Sequence, residues 1–165
     1  MMRVVIIEDE EMIRWGLVHT LDWLGMGCVV VGEAEDGEKG LELITAKSPQ
    51  IVLTDIKMPG MNGLEMIQEA QKNHRFKSII LTSYQDFTLA KRAIDLRASE
   101  YLLKPVDEDE LKNIVERIAL EIDQEQLQLR LTSCPAVMQV DSSIQKWSKL
   151  MDYVSTDKLA ESTLA

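Results

Sequence analysis

Apolar residues follow two rhythms along this chain. Short β-branched runs stand at RVVII (3–7), CVVVGEA (28–34), IVLT (51–54), SIILT (78–82) and EYLL (100–103). They are nearly continuous rather than alternating, as in strands covered on both faces of a parallel sheet. Between them apolar positions recur at helical spacing: Ile13, Leu17, Leu21 and Leu24; Leu41 and Ile44; Leu64, Ile67 and Ala70; Phe87, Ala90 and Ile94. A fifth helix is predicted from Asp107, where DEDE puts acids at the positive end of the dipole. It carries Leu111, Val115, Ile118 and Ile122, and the same spacing reaches Glu125 and Leu129 as a short extension. Five strand-helix alternations predict an open α/β sheet with helices on both faces and right-handed crossovers.

In such sheets ligands bind beyond the carboxyl ends of the strands, so the residues that end each strand matter most. The first run ends in Glu8 and Asp9, the third in Asp55, the fourth in Thr82 and the fifth in Lys104. Each has an ordinary reading when taken alone. Acids stabilise a following helix, Asp starts loops, Thr caps turns, Lys before Pro sits in surface turns, and Tyr101 is by default a core aromatic. Their joint placement at one sheet edge points to chemistry. Three converging carboxylates repel one another unless a hard, oxygen-preferring cation is present. Mg2+ beside Asp55 makes that carboxylate a usable nucleophile toward a phosphoryl donor. Lys104 and Thr82 offer a charge and a hydroxyl for phosphoryl oxygens.

Composition narrows the field further. A chain of 165 residues that is 45% hydrophobic can hold a full core plus an appendage. A net charge of -10 opposes the phosphate backbone of nucleic acid, so direct nucleic-acid binding by this chain alone is not expected. Cys28 and Cys134 form neither a CxxC pair nor a disulfide framework. No run approaches the ~20 apolar residues of a membrane span. A cytoplasmic protein without membrane association is the expectation.

Four motifs in order, IIEDEEMIR, LTDIKMPGMNGLE, LTSYQDFTLAKRAI and SEYLLKP, resemble the receiver (response regulator) domains of two-component signalling. The resemblance covers roughly residues 1–122 and implies a flavodoxin-like (βα)5 doubly wound parallel sheet of order 2-1-3-4-5. Carried over residue by residue, it makes Asp55 the phosphoacceptor, with Mg2+ as cofactor. Asp9 becomes the direct metal ligand, Glu8 the acid acting through a water, and Lys57 the residue whose backbone carbonyl completes the metal site. Thr82 and Tyr101 become the switch pair, and Lys104 the family lysine, with a cis bond expected to Pro105. Glu8 stands where Asp is commoner, and Arg97 where many relatives have Gly. Tyr84 and Lys57 occupy positions that tune hydrolytic water in the family. The implied partners are a sensor histidine kinase and, after phosphorylation, a second copy of the chain. The implied chemistry is self-phosphorylation and autodephosphorylation rather than turnover as an enzyme.

The receiver motifs look like those of regulators that carry an AraC-type DNA-binding domain. Residues 123–131 read as a helical extension or linker. Residues 132–165 are too few for such an effector, although Ile144, Trp147, Leu150, Met151 and Val154 predict a helix around 142–154. A stand-alone phosphorelay receiver is therefore the alternative output. A flavin-binding α/β domain is disfavoured, since acids rather than a glycine-rich loop follow the first strand.

Overall fold

A computed structural model describes residues 1–83 and 100–133. The predicted helix at Phe87–Ile94 and the stretch at 142–154 lie outside the described residues, as do Tyr84, Arg97 and Cys134. The elements run β1 (Met2–Ile7), α1 (Glu11–His19), β2 (Cys28–Ala34), α2 (Gly37–Lys47), β3 (Ile51–Asp55), α3 (Gly63–Ala70), β4 (Lys77–Thr82), β5 (Glu100–Leu103) and α4 (Glu108–Ser133). The five strands form one parallel sheet of order β2-β1-β3-β4-β5, the flavodoxin-like topology that the motifs implied.

Burial follows position in the sheet. Val4–Ile7, Ile51–Thr54 and Ile79–Leu81 are wholly buried, so the continuous apolar runs belong to the central strands. The edge strands depart from that expectation. Val29–Val31 of β2 are only half-buried, and β5 buries Leu102 alone. An edge strand has one neighbour and loses cover on its outer side, which composition alone does not reveal.

Helix α1 is shorter than its apolar spacing predicts. It ends at His19 with Thr20 as its C-cap, and Leu21 and Leu24 fall outside it, Leu24 being exposed. The cause is local. Asp22 Oδ1 accepts from the Gly25 N–H at 2.9 Å, and Gly27 takes a left-handed φ of 72°, so the chain turns instead of continuing as helix. Trp23 and Met26 fill the core in place of Leu21 and Leu24, and Trp23 Nε1 donates to Leu17 O at 2.7 Å.

The last helix starts as predicted. Asp107 Oδ1 accepts from the Glu110 N–H at 2.9 Å, an N-cap bond. Leu111, Ile114, Val115 and Ile118 are then buried. A compact unit spans Met1–Leu120, and α4 continues past it to Ser133, with Leu127, Leu129 and Leu131 exposed. Among the described residues no helix is long and apolar enough to cross a membrane.

Candidate functional site

Strand register decides which side chains meet. Ile7 pairs with Thr54, so Glu8 follows at the level of Asp55; Asp55 pairs with Leu81, and Leu81 with Leu102. Lys104 therefore lies two residues, roughly 6.6 Å of strand, beyond the level of Asp55. A long, flexible side chain is what spans that offset. Its ammonium reaches back to 2.6 Å from Asp55 Oδ2 and 2.8 Å from Glu8 Oε2. Carboxylate oxygens of Glu8, Asp9 and Asp55 all lie within 4.8 Å of one another. The sequence-predicted acids and the lysine thus come together in one cluster.

The ordinary readings of the acids fit less well. Glu8 does not cap α1, whose N-cap residue, Glu10, has no side-chain cap bond; Glu8 Oε1 accepts only a long 3.4 Å bond from Glu10 N–H. Asp55 divides its oxygens. Oδ1 accepts from the backbone of Ile56 at 2.6 Å and Lys57 at 3.3 Å, while Oδ2 faces Lys104. One oxygen is fixed by the loop and the other is directed into the cluster.

Glu8 is fully buried, and burial pushes its carboxyl above the usual range, with the Lys104 ammonium opposing the rise and Asp55 adding to it. Burial also acts against the charge on Lys104, but the nearby carboxylates of Asp55 and Glu8 outweigh it and raise its pKa, so the ammonium stays charged. The two shifts pull in opposite senses on one contact, because a charged Lys104 favours a charged Glu8. Geometry separates them. Lys104 directs its hydrogen bond at Asp55, whereas Glu8 Oε2 has the ammonium at ion-pair distance but takes no aligned hydrogen bond. A buried carboxylate oxygen without a directed donor, beside two further acids, is a donor set suited to a hard cation. Opposite ligands of Mg2+ stand ~4.2 Å apart, close to the spread of this cluster. The residues fit the ion.

The loop after β3 shows why its glycines are needed. Gly60 has a φ of 75°, and a Cβ on Gly63 would stand 1.9 Å from the Asp55 carbonyl oxygen. Asn62 then opens α3 with a capping box, accepting from Leu64 and Glu65 while Glu65 accepts from Asn62 N–H. Loop and helix start are both anchored within eight residues of Asp55.

The remaining predicted residues are placed as follows. Thr82 is buried at the end of β4, and its Oγ1 donates to Ser83 O at 3.1 Å rather than to the acids. Tyr101 on β5 is 39% exposed, which corrects the default expectation of a core aromatic; edge strand β5 presents it outward. Lys57 contributes its N–H to Asp55 Oδ1. The Lys104–Pro105 bond is cis. One residue that sequence reasoning passed over is Arg14, whose Nη1 donates to Glu8 O at 2.6 Å. It lies inside the first motif, but no spacing rule marks an arginine for the reach of its guanidinium.

Comparison with known proteins agrees with this picture. The sequence model described as the response regulator receiver domain matches residues 4–116. The transcriptional regulatory protein HptR of Staphylococcus aureus is 37% identical over 136 residues, 81% of this chain and 54% of that protein. The transcriptional regulatory protein YesN of Bacillus subtilis is 32% identical over 134 residues, 81% of this chain and 36% of that protein. The chain therefore spans only about a third to a half of these relatives. Among solved structures, the receiver domain of AraT, a response regulator from Geobacillus stearothermophilus, aligns with a TM-score of 0.71 and 36% identity over 76% of this chain and 98% of its own. A two component transcriptional regulator AraC from Clostridium phytofermentans aligns with a TM-score of 0.70 and 28% identity over the same shares.

Proposed function

We propose a function from an established premise: the chain belongs to the response regulator receiver family, whose model matches its residues 4–116. Asp55 accepts a phosphoryl group from the phosphohistidine of a sensor histidine kinase. An Asp55 oxygen attacks phosphorus, the P–N bond breaks, and the histidine leaves neutral once protonated. The observation that carries this reading is the convergence of Glu8, Asp9, Asp55 and Lys104 from three strand ends.

Each residue has a defined part. Glu8, Asp9 and Asp55, with the Lys57 carbonyl, would hold Mg2+. When bound, the ion neutralises charge between the carboxylate and the incoming phosphoryl group. Ile56 and Lys57 N–H groups keep Asp55 Oδ1 fixed, which orients the attacking carboxylate. Lys104 already sits at hydrogen-bond distance from Asp55 Oδ2, where it can follow the phosphoryl oxygens with little reorganisation. Thr82 Oγ1 exchanges the Ser83 carbonyl for a phosphoryl oxygen, and Tyr101 turns inward into the space this opens. The switch biases a two-state equilibrium rather than creating a new state.

On this reading residues 1–122 form the receiver and 123–131 a helical linker. The domain modifies itself and is not an enzyme in the usual sense. Its output is phosphorylation-dependent pairing with a second copy, serving transcriptional regulation in a longer cytoplasmic protein. The names of HptR and YesN, both transcriptional regulatory proteins, support the transcriptional part of that output. Light scattering with Mg2+ and beryllofluoride, a phosphoryl mimic, tests it. A monomer that becomes a dimer only when Asp55 is intact is the expected result. An Asp55→Asn protein that responds like the wild type contradicts it.

A further inference from the structure

Glu8 and Asp9 are joined by one peptide unit, and the orientation of that unit sets where both carboxylates point. Its carbonyl, Glu8 O, accepts from Arg14 Nη1 at 2.6 Å. The preceding peptide unit is held as well, since the Glu8 N–H donates to Ala34 O at the end of β2, at 3.0 Å. Glu8 is thus clasped through its backbone from both directions at the point where β1 leaves the sheet, while its side chain faces Lys104. We infer that Arg14 is a positioning residue for the cation site: by fixing the peptide plane between Glu8 and Asp9 it presets both acids and so sets the affinity for Mg2+. This inference rests on the metal reading proposed above.

The setting of Arg14 supports a positioning role. Its backbone N–H donates to Glu10 O at 2.9 Å, which seats it on the first turn of α1. Helical side chains lean toward the helix N-terminus, which is the direction of Glu8. Glu10 offers no side-chain cap, and beside the long bond from Glu10 N–H to Glu8 Oε1 the guanidinium is a short side-chain tie between α1 and the acid-bearing turn. Arg14 is half-buried in an open cleft with Glu33, Ala34, Glu35 and Lys39, so the end of β2 that holds the Glu8 N–H also flanks the arginine. Arginine suits the task better than lysine, since its planar fork fixes the direction of the bond as well as its length. The bond that Arg14 makes here is to a backbone carbonyl rather than to a carboxylate of the cluster.

A comparable bond at the other end of the sheet supplies a control. Arg3 Nη2 donates to Ser48 O at 2.7 Å, but no acid pair is attached to that carbonyl. The test is calorimetric titration of the full, unphosphorylated chain with Mg2+ alone, for the wild type and the Arg14→Met, Arg14→Ala, Arg14→Lys and Arg3→Met variants. Arg14→Met keeps the aliphatic stem and removes only the donors, so it serves if Arg14→Ala fails to fold. Partners that orient ligands from outside the metal shell are worth roughly 10–100-fold in affinity. The expected result is a Kd raised roughly tenfold in Arg14→Met and Arg14→Ala, an intermediate value in Arg14→Lys, and the wild-type value in Arg3→Met. Wild-type affinity in Arg14→Met overturns the inference alone, as does equal weakening in Arg3→Met. A wild-type chain that binds no Mg2+ overturns the metal reading beneath it.

Discussion

Glu8 is fully buried, with the Lys104 ammonium 2.8 Å from its Oε2 and the acids Asp9 and Asp55 in the same cluster. Its folded pKa is raised, so between the ordinary carboxyl value and that raised value the folded state binds more protons than the unfolded state. The sign follows: in the metal-free protein the stability contributed by this group is fully present below the ordinary value and is lost as pH rises through the folded one. Glu8→Gln removes this dependence. It should raise the melting temperature of the metal-free protein at neutral pH by a few degrees, the shift expected for about 1 kcal/mol, while weakening Mg2+ binding. Thermal melts across pH 4 to 8 check both arms, and a melting temperature lowered at neutral pH contradicts the assignment. Lys104→Ala or Thr82→Ala should leave the fold standing but uncouple phosphorylation from the change in solution mass. Beryllofluoride-induced dimerisation equal to wild type in both variants would count against their roles.

At the scale of elements, the turn from β3 into α3 is the most constrained segment near the site. Gly63→Ala forces a Cβ against the Asp55 backbone, which cannot move without disturbing the strand. The expected loss is roughly 2–4 kcal/mol, in the upper range for single substitutions. Asn62→Ala removes a capping box and should lose about 1 kcal/mol. Urea unfolding of the two variants should preserve that order, and an Asn62→Ala loss larger than that of Gly63→Ala would show that the close approach at Gly63 is relieved elsewhere. The central strands β1, β3 and β4 were legible in the sequence because burial on both faces leaves continuous apolar runs. The end of α1 was not, since the Asp22 side chain competes with the helix through a bond that apolar spacing does not register. Edge exposure of β2 and β5 was also hidden, because it depends on strand order rather than composition.

For the whole molecule, register converts chain order into a site. Glu8, Asp9, Asp55 and Lys104 were legible as residues that end strands. Their meeting depends on the pairing that levels Glu8 with Asp55 and leaves Lys104 two residues beyond. Arg14 was illegible for the complementary reason: its contact with Glu8 O is set by the direction in which α1 leaves the turn. The assembled cluster sets Asp55 beside two acids and one lysine, and the proposed reading makes Asp55 the phosphoacceptor. The measurement that tests this most directly is intact-mass spectrometry after incubation with acetyl phosphate, with Mg2+ or with EDTA, followed by mapping of the modified peptide. The account predicts a single phosphoryl group per chain, on the peptide containing Asp55, dependent on Mg2+ and absent in Asp55→Asn. Equal phosphoryl incorporation by Asp55→Asn, or by the wild type in EDTA, would contradict it.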